Sequence, residues 1–309
     1  MTPCRIGLVA SAGHRSDPGS ALLRFIETFR PFFAQEQPSE LFITGATHDA
    51  LSTAGLLDGL TTNRLRPSRE GGLITLTALL VGLDLADPGL DWIIYLQDPY
   101  DPTTLYPEAQ ALKRQCTVHG KPFLSTEAAA SEWTTLEWFR RAPDAAPLGK
   151  LVERWVRPLH LGAETIGMIG HDAFKPALLE FAARHRPLLN RFGRRLATGT
   201  TGGLLNGTLP DRLAASADRY AAPPATSGAP WVEALLSGPK GGDAQIAQEV
   251  VEGRCRRVIF FEDPHVAREH ESDIQLLERA TRFAEGGCLC LNSRVTAERW
   301  AEGMGLLLA

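Results

Sequence analysis

Ile166-Gly-Met-Ile-Gly170 is a near copy of Ile6-Gly-Leu-Val-Ala10, and three further pairs follow in the same order. Thr44-Gly-Ala-Thr47 answers to Thr198-Gly-Thr-Thr201, Gly71-Gly72 to Gly241-Gly242, and Ile94-Tyr-Leu-Gln-Asp-Pro99 to Ile259-Phe-Phe-Glu-Asp-Pro264. The separation drifts from pair to pair, so order is kept while loops change length. A repeat this long means two copies of one domain rather than a short-period solenoid. Each copy opens on an apolar strand followed by a helix with one apolar face, Ala21-Leu-Leu-Arg-Phe-Ile26 or Ala177-Leu-Leu-Glu-Phe-Ala182. In the second copy the pattern predicts a helix over 244–252, a strand over 257–261, a helix over 272–284, a strand near 289–291 and a terminal helix. Strands alternating with helices, and apolar on both faces, predict a parallel sheet covered on both sides. The expected fold is therefore α/β: two tandem three-layer α/β/α domains, each around a mainly parallel sheet. Ligands in such sheets sit beyond the carboxyl ends of the strands.

The chain has 309 residues, which is room for two domains of about 150 residues each. The boundaries expected are 1–142 for the first domain, 143–161 for a linker interrupted by Pro143, Pro147 and Pro158, and 162–309 for the second. An insertion at about 207–230, rich in Ala, Pro and Ser, reads as a loop within the second domain. A net charge of −4 gives no case for a nucleic-acid partner, and Arg254, Arg256 and Arg257 read as a solvated turn before a strand. The five cysteines form no framework or zinc spacing, so buried free thiols and no metal are expected. No leader and no apolar run approaching the ~20 residues of a membrane span is seen, which points to a cytoplasmic protein that does not engage the membrane.

Four loops of the second copy carry polar residues worth explaining: His171-Asp-Ala-Phe-Lys175, Thr198-Gly-Thr-Thr-Gly-Gly203, Ser237-Gly-Pro-Lys-Gly-Gly-Asp243, and the run from Asp263-Pro264 through His270 to Asp273. A Thr/Gly turn entering a helix offers N–H groups, hydroxyls and the positive end of the helix dipole to a phosphate, and Lys175 adds a point charge. Singly, each loop has an ordinary reading: Thr198 as a helix start, Asp243 as a helix cap, His270 and Asp273 as a solvated helix start, His171 as a loop histidine. Together they place a phosphate cradle, a lysine, two histidines and several carboxylates at one sheet edge. That set suits proton abstraction beside the carbonyl of a small phosphorylated substrate.

These strings, together with Leu236-Ser-Gly-Pro-x-Gly-Gly-Asp243 and Phe260-Phe-x-Asp-Pro264, make the second copy resemble the methylglyoxal synthase family over about 164–300. The resemblance implies a lyase that converts dihydroxyacetone phosphate (glycerone phosphate) to methylglyoxal and inorganic phosphate without metal or organic cofactor. It implies that Asp243 is the base, His270 the electrophile, Asp273 a nearby acid, and His171, Asp172 and Asp263 further active-site residues. Lys175, Thr198, Thr200, Thr201, Ser237 and Gly238 match the family's phosphate-binding set. It also implies a homo-oligomer; since six single domains form the usual ring, a two-domain chain could reproduce it as a trimer. The alternative reading is a non-catalytic effector-binding or phosphometabolite-binding regulatory protein, which an intact Asp243, His270 and Asp273 count against.

The first copy resembles the same domain with its chemistry removed. Ser11 or a neighbour takes the place of His171, Lys175 has no clear partner, and Ala46, Leu73, Leu105 and Glu108 stand for Thr200, Asp243, His270 and Asp273. Asp98 persists, but Asp-Pro also makes a plain strand-end turn. His14 and His48 lie in the matching loops and are read as bystanders.

Overall fold

In the computed structural model, described for all residues except 1–2, 35–38, 85, 145–147, 156–160, 209–228, 266–270, 285–286 and 309, the predicted strands come first. The first half runs β1 (Arg5–Ala10), α1 (Ala21–Phe33), β2 (Glu40–Ile43), α2 (Gly45–Thr53), β3 (Thr61–Arg64), α3 (Gly72–Val81), β4 (Trp92–Leu96), α4 (Pro107–Val118), β5 (Phe123–Leu124) and α5 (Glu127–Arg141). After α6 (Leu148–Trp155), the second half runs β6 (Thr165–Gly170), α7 (Lys175–Arg184), α8 (Arg186–Leu189), β7 (Arg194–Ala197), α9 (Gly199–Leu205), β8 (Glu233–Ala234), α10 (Gly242–Val251), β9 (Cys255–Phe261), α11 (Glu271–Phe283), β10 (Leu289–Leu291) and α12 (Arg294–Leu308). Contacts divide the chain into the units Met1–Leu148 and Gly149–Ala309.

Each unit holds a five-stranded sheet, in the orders β3-β2-β1-β4-β5 and β8-β7-β6-β9-β10, and the described pairings are parallel throughout. The orders are the same, strand for strand. The direction of winding reverses beside the central strand, β1 or β6, which is where such sheets open a crevice at their carboxyl edge.

Period-two alternation sends successive strand residues to opposite faces. Val9, Phe42, Ile93 and Tyr95 join Leu73, Leu76 and Leu80 of α3 and Leu112 of α4. In the second unit Ile169, Val258 and Phe260 join Ile246 and Val250 of α10 and Leu277 of α11. The opposite face of the first sheet is covered by α1 and α5, where Phe32 meets the Trp138 ring at 5.7 Å and Phe25 meets Phe29 at 5.0 Å. Four of the five free cysteines are buried, and burial pushes the Cys255 thiol up to about 12.

Two readings are revised by the structure. Of the arginine trio, Arg254 lies exposed in a bend before β9 as expected, but Arg257 does not, because β9 begins at Cys255 and carries a bulge opposite Thr165 and Ile166. The bulge skips Arg256, which is exposed, and turns Arg257 inward, where Glu164 pairs with it at 2% exposure of the arginine side chain. The proline-interrupted stretch expected as a linker also carries regular structure, the helix α6, which falls at the start of the second unit, with Leu151 buried. Residues 209–228, most of the expected insertion, lie outside the described residues. At its ends the Asn206 amide donates to the Val232 carbonyl at 2.9 Å and accepts from the Val232 N–H at 3.0 Å. Among the described residues no helix is long and apolar enough to cross a membrane.

Glycine is required where helices begin against main chain. Gly241 has φ 97°, and a Cβ on Gly242 would overlap the carbonyl oxygen of Leu236; Gly71, at φ 93°, and Gly72, against the Arg66 carbonyl, repeat the arrangement. Gly242→Ala and Gly72→Ala are each expected to cost about 1–3 kcal/mol, as other overpacked sites do. Gly149→Ala, whose Cβ would meet nothing, is expected to stay within about 0.5 kcal/mol of the parent. Denaturant unfolding of the three variants checks this, and equal stabilities would show that the glycines are not needed for fit.

Candidate active site

The first wall of the crevice is the end of β6. His171 follows its last residue; its N–H donates to the Phe261 carbonyl at 3.1 Å, tying the turn to β9. The imidazole is 7% exposed, packs edge-on against Phe260 at 5.0 Å, and accepts the Asp263 N–H on Nδ1 at 2.8 Å. One turn later Lys175 starts α7 and is 6% exposed, its ammonium paired with the largely exposed carboxylate of Asp172. A buried lysine at a helix start needs such a negative partner, or an anionic ligand in its place.

The second wall is the start of α9. Thr198 is the residue before the helix, with extended backbone, and Gly199 N–H donates to the Leu236 carbonyl at 2.8 Å. A Cβ on Gly199 would lie 2.9 Å from the Ser237 nitrogen, so only glycine lets the third loop come this close. The third wall is that loop. Ser237 precedes a single 3-10 turn, its carbonyl accepts from Lys240 at 2.8 Å and Gly242 at 3.1 Å, and Gly241 turns the chain into α10. Asp243 then falls in the first turn of α10 at 2% exposure, where the helix dipole favours a carboxylate. A Cβ on Gly238 would approach Asp243 Oδ2 to 2.9 Å, so the glycine keeps this oxygen approachable.

These walls enclose a cavity of about 130 Å³ lined by His171, Asp172, Lys175, Thr198, Thr200, Ser237, Gly238 and Asp243, with Ile169, Gly170 and Pro239 completing it. That is well under the roughly 300–1,000 Å³ of sites for drug-sized ligands, so it fits a small metabolite. Eight of the residues expected from sequence therefore meet here. Thr201 and Asp263 are not among the lining residues: Thr201 is 1% exposed with its hydroxyl on Thr198, and the Asp263 carboxylate accepts the His265 N–H at 3.0 Å. His270 lies outside the described residues; Asp273 falls in the first turn of α11, and its side chain is likewise outside them.

Curated proteins named methylglyoxal synthase match the chain. The protein of Cupriavidus pinatubonensis (strain JMP 134 / LMG 1197) is 41% identical over 115 residues, covering 37% of this chain and 73% of that protein. The chain belongs to the methylglyoxal synthase family. The enzyme of Thermus thermophilus (strain ATCC 27634 / DSM 579) is 39% identical over 116 residues, covering 38% and 76%. That of Clostridium botulinum (strain Eklund 17B / Type B) is 36% identical over 114 residues, covering 37% and 79%. No family model matches the chain.

The first unit repeats several of the main-chain contacts that frame this cavity. The Ser11 N–H donates to the Leu96 carbonyl at 2.9 Å, as His171 does to Phe261, so Ser11 holds the histidine's place. Four residues on, Arg15 stands where Lys175 stands, a partner that the sequence comparison did not find because the following helix starts later. Its guanidinium is turned back onto the Ala10 carbonyl. Gly45 donates to the Arg66 carbonyl at 3.1 Å, as Gly199 does to Leu236, which sets Leu73 at the position of Asp243, and Leu73 is buried in the core. Thr44 and Thr47 keep the hydroxyl contact of Thr198 and Thr201, at 3.1 Å, whereas Thr200 becomes Ala46.

With Lys175 the cation of the second-unit cavity, Lys175→Met is expected to weaken binding of inorganic phosphate by about 10–100-fold, from the roughly 1.5–3 kcal/mol of a charged hydrogen bond. Titration calorimetry reads this directly; unchanged binding would place the phosphate elsewhere.

Proposed function

We propose that the chain is a methylglyoxal synthase-type carbon–oxygen lyase with one active site, in the second unit. The observation that carries the reading is Asp243, a buried carboxylate sharing a small cavity with Lys175 and the Thr198–Thr200 turn. Dihydroxyacetone phosphate is seated with its phosphate on Lys175, the main chain at the start of α9, Thr198, Thr200, Ser237 and Gly238. Asp243 takes a proton from C3, and the electron pair moves into the carbonyl to give an enediolate. A carboxylate is a weak base for a carbon acid, so the oxygen must be stabilised as its charge grows. The imidazole of His171, which lines the same cavity, takes this role, and family resemblance adds His270, with Asp273 as a nearby acid. The enediolate then expels phosphate by breaking the C1–O bond. The enol left behind takes a proton back onto carbon and tautomerises to methylglyoxal, so substrate atoms are conserved between the two products. None of these steps calls for a metal or organic cofactor.

In the same proposal residues 1–142 are a non-catalytic copy of the domain, joined by 143–161 to the catalytic copy, 162–309. Leu73 cannot take a proton. The protein works in the cytoplasm as a homo-oligomer, a trimer whose alternating copies reproduce a six-domain ring.

Incubation with dihydroxyacetone phosphate should release methylglyoxal and phosphate in equal amounts. Asp243→Asn should lower the rate by about 10²–10⁴-fold, the usual contribution of a positioned base, while phosphate still binds. Tight phosphate binding without turnover would instead mark an effector-binding protein. Light scattering tests the trimer, and a stable monomer would refute it.

A further inference from the structure

The aspartate at the end of β9 is occupied with the main chain. Its Oδ1 accepts the N–H two residues on, from His265, at 3.0 Å, which is an Asx turn. The first unit makes the same turn at the matching place, where Asp98 Oδ1 accepts the Tyr100 N–H at 2.9 Å. There Ser11 replaces the histidine and Leu73 the base, so the turn outlasts the chemistry. A feature kept where no reaction remains belongs to the fold.

What differs is the use made of the peptide just before that turn. In the second unit the Asp263 N–H points at His171 Nδ1, 2.8 Å away. An N–H can be received only by a ring nitrogen that carries no proton. In the neutral imidazole the proton must then sit on Nε2. Phe260, edge-on at 5.0 Å, packs against the ring, and the ring lines the cavity that also holds Asp243 and Lys175.

We propose that Asp263 is a positioning residue, whose Asx turn holds its own amide on His171 Nδ1 so that His171 meets the substrate as an Nε2–H donor and never as a base. The inference rests on the lyase reading for the word substrate, but the tautomer itself does not. It divides the work inside the site: Asp243 moves the proton, and His171 donates a hydrogen bond to the oxygen on which charge develops. It also requires only a carbonyl oxygen at residue 263, not a negative charge.

The test uses the full chain labelled with ¹⁵N in histidine, with the His171 signals assigned by their loss in His171→Asn. Two-bond ¹H–¹⁵N spectra at a pH where the ring is neutral should show the Nε2–H form in the parent and in Asp263→Asn, whose amide oxygen can make the same turn. Asp263→Ala should mix the tautomers and lower kcat about tenfold or more, whereas Asp263→Asn should recover most of that loss with the parent's pH profile. An Nδ1–H form in the parent, or an Asp263→Asn variant as impaired as Asp263→Ala, would overturn the proposal. If Asp263→Ala does not fold, the parent and the asparagine variant still decide it. Should the parent release no phosphate from dihydroxyacetone phosphate, the lyase reading fails while the spectra still report on the tautomer.

Discussion

One main-chain carbonyl, that of Leu236, stands between the beginnings of two helices. It accepts the N–H of Gly199 at the head of α9 and lies against the bare Cα of Gly242 at the head of α10. Two positive helix ends are thereby brought to the same small volume, one beside Thr198 and Thr200 and the other carrying Asp243. No side chain could be inserted at either glycine without pushing these ends apart. The cavity, its preference for an anion and the burial of its carboxylate all follow from that close approach. The Arg66 carbonyl plays the same part in the first unit, between Gly45 and Gly72, which explains why the frame survives there without the reacting groups.

The two units show what happens to such a frame when its carboxylate is replaced. Leu73 does not leave a gap at the mouth of the crevice but joins the cluster around Leu76, Ile93 and Leu112. Burying a leucine contributes roughly 1.5–3 kcal/mol, whereas a buried carboxylate carries a desolvation cost that only hydrogen bonds and dipoles offset. Arg15 follows the same logic, its guanidinium spent on a main-chain carbonyl of its own turn. In physical terms the second unit keeps an unfavourable group buried, and the first has exchanged it for packing.

Much of this was legible in the residues. Strands buried on both faces announce themselves by continuous apolar runs, and β1, β6 and β10 lie where the pattern puts them. The glycine string 237–243 was readable because close approach of main chain leaves no other residue possible. What the sequence hid depends on direction rather than identity. Thr200 and Thr201 are adjacent letters, but successive helical residues are about 100° apart, and only Thr200 reaches the cavity. Arg257 looked solvated because a bulge, which no periodicity reveals, turns it inward. Arg15 was missed because matching loops of unequal length conceal a shared position.

The double hydrogen bond between Asn206 and Val232 has a consequence for how this chain can vary. It closes the ends of a 26-residue separation onto each other, as two paired strands would. A flexible loop closed in this way costs only about 0.6 kcal/mol more for each doubling of its length. The helix that ends just before Asn206 keeps its other end at the cavity whatever length of chain joins Asn206 to Val232. The junction is thus a natural port for acquired sequence, open to evolution and to grafting alike.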